Sequence, residues 1–225
     1  KPMAIPFVPV SGLQGDNLDS NSIYMPWYAG PSLREALFDN VRCPKRPAKK
    51  PLRVPVQGVL DRDGIGTVIV GRVESGVLQT GMNIHIAPSG IIGVAESLYS
   101  NLEAIEEALP GDIVDIRIKE EHGLMKIRPG HVVSNYDDRP ARKVTSFEAQ
   151  LIVYHPGTIS SGYNATIHCH TSQLSCTIIK IKEKLDPRSG KLLEENPEGV
   201  KAGDVSLVEV KTESPLCIEQ FKDFP

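Results

Sequence analysis

Apolar and polar residues alternate over most of this chain with the period of a strand rather than a helix. Leu52, Val54 and Val56 fall on alternate positions, and Val59-Leu60 precede the turn Asp61-Arg62-Asp63-Gly64. Thr67 to Val73 is a β-branched run that predicts a returning strand. Further strands are expected at 83–87, 91–99 and 113–118, separated by Glu74-Ser75-Gly76, Gln79-Thr80-Gly81 and Leu109-Pro110-Gly111-Asp112. Short strands with glycine turns between them predict a small antiparallel barrel. A second all-β set begins at Ser146, with strands over 147–154, 164–171, 177–182 and 205–210, and a strong turn at Asp186-Pro187-Arg188-Ser189-Gly190. Ala202-Gly203-Asp204 echoes Pro110-Gly111-Asp112, although two turns do not establish a repeat.

The first 45 residues break this pattern. Ile5 to Val10 predicts a short buried strand ending at Ser11-Gly12, and turn residues follow at 15–17 and 21–22. Pro31 to Phe38 is the clearest helix signal, with Pro31 in the first turn, Leu33, Leu37 and Val41 on one face, and an end before Pro44. Residues 42–53, RCPKRPAKKPLR, hold six basic side chains and three prolines. Such a segment predicts an extended, solvated domain linker, or alternatively a contact for a phosphate backbone. Residues 136–143 read as a second boundary. The expected domains are 1–45, 46–140 and 141–225.

Composition adds few constraints. Hydrophobic residues are 40% and charged residues 24%, an ordinary globular balance. Eighteen prolines and 19 glycines favour short strands over long helices. The formal net charge of −3 advertises no nucleic-acid field, although residues 1–50 carry seven basic against four acidic side chains. No apolar run approaches membrane-span length, so no membrane partner is expected. Four cysteines without a CxxC pair argue against zinc and disulfides and for reduced thiols in a cytoplasmic protein.

Several motifs carry a family resemblance. Phe7 to Asn17 followed by Met25-Pro26-Trp27-Tyr28 resembles the end of the GTP-binding domain of translational GTPases. Gly64 to Gly81 resembles the second domain of the eukaryotic elongation factor 1-alpha family. His155 to Tyr163, His168-Cys169-His170-Thr171 and Asp186 to Lys191 resemble its third. The resemblance implies a mainly β fold, with two small antiparallel β-barrels in tandem. A strand-turn-helix remnant of an α/β GTP-binding domain precedes them, and the second barrel lacks its last strands. Ser11, Gly12 and Leu13 match the family's guanine-contacting loop. The sequence has neither a GxxxxGK[ST] phosphate loop nor an NKxD motif, so no catalytic residue, metal or bound cofactor is expected of this chain. GTP and Mg²⁺ are expected in a full-length parent GTPase.

The resemblance further implies aminoacyl-tRNA and the ribosome as partners, with a guanine-nucleotide exchange factor. The family's acceptor-end segment, Val-Glu-Met-His-His, is replaced here by Leu98-Tyr99-Ser100-Asn101-Leu102. That replacement removes a carboxylate and two imidazoles. The alternative is a termination or ribosome-rescue branch whose cargo is a release or rescue factor. Candidate contacts for tRNA or that partner are Arg72, Val73, Glu74, Tyr99, Ser100 and Asn101.

Other constellations point to structural roles. His168 and His170 face one side of a strand, but no further pair completes a zinc site. His155 before Pro156-Gly157 reads as a turn residue. Asp61, Asp63, Glu106 and Glu107 read as solvated turn carboxylates. Trp27 and Tyr28 could stack on a base, but anchoring the loop before the Pro31 helix is the favoured role.

Overall fold

The period-two segments build two antiparallel sheets. The computed structural model describes residues 6–41, 44–119 and 124–224; Ile5, Arg42, Cys43 and Pro225, on which parts of the sequence reading fall, lie outside these. The chain divides into two compact units, Lys1–Lys45 and Arg46–Pro225.

The second unit begins with nine strands: β1 (Val54–Arg62), β2 (Gly66–Arg72), β3 (Leu78–Gln79), β4 (Asn83–Ala87), β5 (Ile91–Ser100), β6 (Glu103–Ile105), β7 (Glu107–Ala108), β8 (Ile113–Lys119) and β9 (Val132–Asn135). Their order is β4-β9-β1-β2-β8-β5, and β5 pairs back with β4. The ring closes into a six-stranded barrel, which removes every sheet edge but that carrying β6. Val54, Val56, Ile69, Ile84, Ile86, Leu98 and Ile116 fill it and are fully buried. At Gly71 an added Cβ would lie 2.7 Å from Val54 Cγ1 and 2.8 Å from the Pro55 carbonyl, so only glycine lets β2 pass there.

Seven strands follow: β10 (Lys143–Ile152), β11 (Ile159–Ser160), β12 (Tyr163–Cys169), β13 (Ser172–Leu185), β14 (Leu192–Glu195), β15 (Gly199–Val200) and β16 (Val205–Cys217). The order is β10-β16-β13-β12, with β14 beside β13, and β11 pairs with β15. Val153, Ile178, Ile181, Val200, Val208 and Val210 form its core. Among the described residues β10 and β12 do not pair with each other, so this set is a half-barrel rather than a second closed barrel.

The two Gly-Asp turns are built alike. Gly111 donates to the Val73 carbonyl and Gly203 to that of Val153, while Val73 and Val153 donate back to Asp112 and Asp204. Each aspartate caps the backbone three residues earlier, at Leu109 and Lys201, with a bond of 2.9 Å. Those bonds, with Lys184 beside Asp204, hold the Asp204 carboxyl below its usual range.

Four expectations are corrected. Residues 6–10 form no strand, and Phe7 is exposed, because Pro6 and Pro9 cannot donate to a ladder and no neighbouring strand pairs with them. The helix α1 (Leu33–Asn40) starts after Ser32, whose side chain accepts from Glu35 while the Glu35 carboxylate accepts from the Ser32 N–H. Pro31 therefore precedes the helix. Ser32 and Ala36 are buried, whereas Leu37 and Val41 of the expected stripe are exposed.

The basic segment is not a solvated linker once past Lys45. Arg46 pairs with Asp112 at 3.3 Å, and Leu52 and Arg53 are buried. The Arg53 guanidinium meets both Glu219 oxygens at 2.5 Å and donates to the Leu52 and Arg139 carbonyls. It also lies 4.4 Å from the Phe224 ring centroid. Lys50 donates to the Asp223 carbonyl at 2.6 Å. The excess positive charge thus fastens the end of the chain to the start of the barrel. A second tie runs through Thr171, which donates to the Val56 carbonyl and accepts from Gly130 N–H.

Candidate functional site

The β5–β6 hairpin turns on two residues, Asn101 and Leu102, with φ of 51° and 70°. Successive positive φ values give the primed turn whose twist suits a hairpin. Asn tolerates that conformation; Leu does not, and Leu102 is 66% exposed, so no packing compensates. Behind the turn lies a cleft of about 480 Å³ lined by Arg62, Tyr99, Ser100, Asn101, Leu102, Ile113 and Asp115. Tyr99 sits opposite Asp115 on β8. Arg62, the last residue of β1, meets Asp115 Oδ2 at 3.0 Å. The Asp115 carboxylate is nearly buried and is neutralised by this pair. Phenol, hydroxyl and amide groups beside two exposed aliphatic side chains suit a planar polar group held by stacking and hydrogen bonds.

The candidates from sequence divide here. Tyr99, Ser100 and Asn101 come together in the cleft. Arg72 stands opposite the wall residue Ile113 in register and pairs with Glu74 at 3.6 Å. Val73 is the correction: its side chain is in the barrel core and both its backbone groups are bonded, so it offers a partner nothing. Arg62, Ile113 and Asp115 line the same cleft and were not among the candidates, and Leu102 was named only as the end of the replaced segment. Asp115 left a signal, a lone carboxylate inside the apolar run Ile113 to Ile118.

In the first unit, Ser11, Gly12 and Leu13 form an exposed turn closed by Gly15 N–H on the Ser11 carbonyl at 2.8 Å. Among the described residues the Gly12 and Leu13 N–H groups have no acceptor. Asn17 organises this region and was read only as turn material. It is buried at φ 55°, donates to the Pro9 carbonyl at 2.9 Å and accepts from Ser22 N–H at 2.7 Å. Tyr28 bonds the Pro31 carbonyl while Trp27 stays exposed. His155 accepts from Gly157 N–H as a turn residue, and His170 has left its strand at φ 50°. Among the described residues no three His, Cys, Asp or Glu side chains gather as a metal site.

Residues 146–225 match the family described as GTP-eEF1A C-terminal domain-like. Over 98% of its length the chain is 44% identical to elongation factor 1-alpha of Plasmodium falciparum. Over its whole length it is 44% identical to that of Eimeria bovis. The chain is similar along its whole length to elongation factor 1-alpha. It spans 50% of the first relative and 64% of the second. Among solved structures, the sup35 complex with GMPPNP superposes with a TM-score of 0.71 at 26% identity, covering 96% of this chain and 52% of that one. The cleft lies on the barrel, at the segment Leu98 to Leu102 that the sequence reading singled out.

Proposed function

We propose that these barrels belong to a GTP-driven elongation factor 1-alpha that carries aminoacyl-tRNA to the ribosome in the cytoplasm. The cleft at Tyr99, Ser100 and Asn101, closed by the Arg62–Asp115 pair, receives the acceptor end, and Arg72 and Glu74 border it. The observation that carries this is the coincidence of that cleft with the segment assigned to tRNA by resemblance. Tyr99 supplies stacking in place of the charge-assisted contacts a carboxylate would give.

The guanine ring of the parent's nucleotide is assigned to the first unit, where among the described residues the Gly12 and Leu13 N–H groups have no acceptor and could donate to a guanine carbonyl. GTP with Mg²⁺ supplies the switch when bound, and an exchange factor resets it. Residues 46–53 are bonded to the barrel, so a hinge between the nucleotide-binding domain and the barrels falls before Arg46.

The test is binding of the full-length parent, loaded with a non-hydrolysable GTP analogue, to aminoacylated and deacylated tRNA over a salt series. Selective binding of aminoacyl-tRNA, weakened on the order of tenfold by Tyr99→Ala, is expected. A protein cargo is the second reading, favoured by the loss of carboxylate and imidazoles between Leu98 and Leu102. Absence of discrimination between the two tRNAs, with capture of a release or rescue factor, would establish it.

A further inference from the structure

A second cleft of about 460 Å³ lies between the end of β4 and the start of β10. Its walls are largely apolar, with Ala87 and Pro88 from the end of β4 and Pro140 and Ala141 from the segment before β10, and His85 and Ser89 add the polar groups. Ala87 and Ala141 belong to a small buried cluster with Val132 and Cys217, so packing holds the floor. One hydroxyl fixes both walls. Ser134 on β9 is fully buried, donates to the His85 carbonyl at 3.0 Å and accepts from Ala141 N–H at 3.0 Å. At the mouth stand Arg142 and Lys143, both exposed, and neither has an ion-pair partner among the described residues. No carboxylate lines the cleft, and Asp137, a few residues before it, accepts from the Asn83 side chain.

We propose that this cleft is a docking site for an acidic segment of a protein partner, with one apolar side chain seated between Pro88 and Ala141 and carboxylates meeting Arg142 and Lys143. The two cations would serve a phosphate backbone equally well, but an RNA strand offers no aliphatic group for a pre-formed slot of alanine and proline. The apolar walls therefore select a peptide.

The experiment uses the 225-residue chain and a fluorescent Glu-rich peptide bearing a single leucine, read by anisotropy at low salt. Binding is expected to fall about tenfold when the leucine becomes serine, the loss of one buried aliphatic side chain. It should fall by a similar factor in the Arg142→Glu/Lys143→Glu variant, both positions being exposed and unneeded for folding. That variant should instead bind the matching Lys-rich peptide, which shows that it is folded and that the site is local. Equal binding with and without the leucine, or by wild type and variant, would overturn the proposal. So would a variant that loses affinity for an RNA duplex while keeping the peptide.

Discussion

Replacing Glu219 by alanine should destabilise the second unit far more than a surface ion pair would. Arg53 is left buried, its side chain only 6% exposed, with two carbonyls and the Phe224 ring but no counter-charge. Stranding a buried charge costs about 3–5 kcal/mol, and an exposed pair typically less than about 1 kcal/mol. The Glu219 side chain is 24% exposed, so water can relax part of the loss, which sets the expected cost at about 2–3 kcal/mol. For a domain of this size that lowers Tm by roughly 5–10 °C. Thermal unfolding by circular dichroism measures it, repeated in 1 M salt. The drop should persist there, since a desolvated pair is poorly screened. Replacing both partners, Arg53→Met with Glu219→Leu, should recover part of the loss, because no unpaired charge remains. A Tm within 1 °C of wild type for Glu219→Ala would refute the claim that this pair joins the chain's end to its barrel.

Other changes test other parts of the fold. Leu102→Gly removes a positive-φ leucine and should raise stability by about 1 kcal/mol in urea unfolding. Gly76→Ala should cost about 2–4 kcal/mol, because the new Cβ would sit 2.5 Å from Leu52 Cα at φ 74°. His85 and His131 are both held below the usual imidazole range by burial, with Arg128 adding to the effect at His131. The unfolded chain thus takes up protons first, so stability present above pH ~6.5 should decline as pH falls below it, and His85→Asn should flatten the slope. Burial pushes the Cys217 thiol up to about 12 and raises Cys169 and Cys176, so mass spectrometry after iodoacetamide at pH 8 should show all three unmodified until denaturant is added.

The strands that built the barrel were legible where alternation and turn chemistry agreed. The β1–β2 hairpin shows this: β-branched runs flank Asp63-Gly64, and the observed register closes there. β9 was not legible, because four residues of Val-Val-Ser-Asn are too few to show a period, yet they close the ring. The helix was found but not its buried face. Ser32 and Ala36 point inward for reasons of tertiary packing, which a stripe of larger residues conceals. The charge run at 42–53 misled for a related reason: its partners Asp112 and Glu219 lie far along the sequence, and only the fold brings them near. Tyr99, Ser100 and Asn101 were located by resemblance. The pair behind them, Arg62 and Asp115, joins β1 to β8 over the intervening β2, a contact no local pattern encodes.

The most direct measurement compares aminoacylated with deacylated tRNA on the GTP-analogue-loaded parent, with Tyr99→Ala alongside. Tight, salt-sensitive binding confined to the aminoacylated form, and weakened by the variant, is the predicted result. Equal binding of both tRNAs, unaffected by Tyr99→Ala, would contradict the assignment of the acceptor end to this cleft.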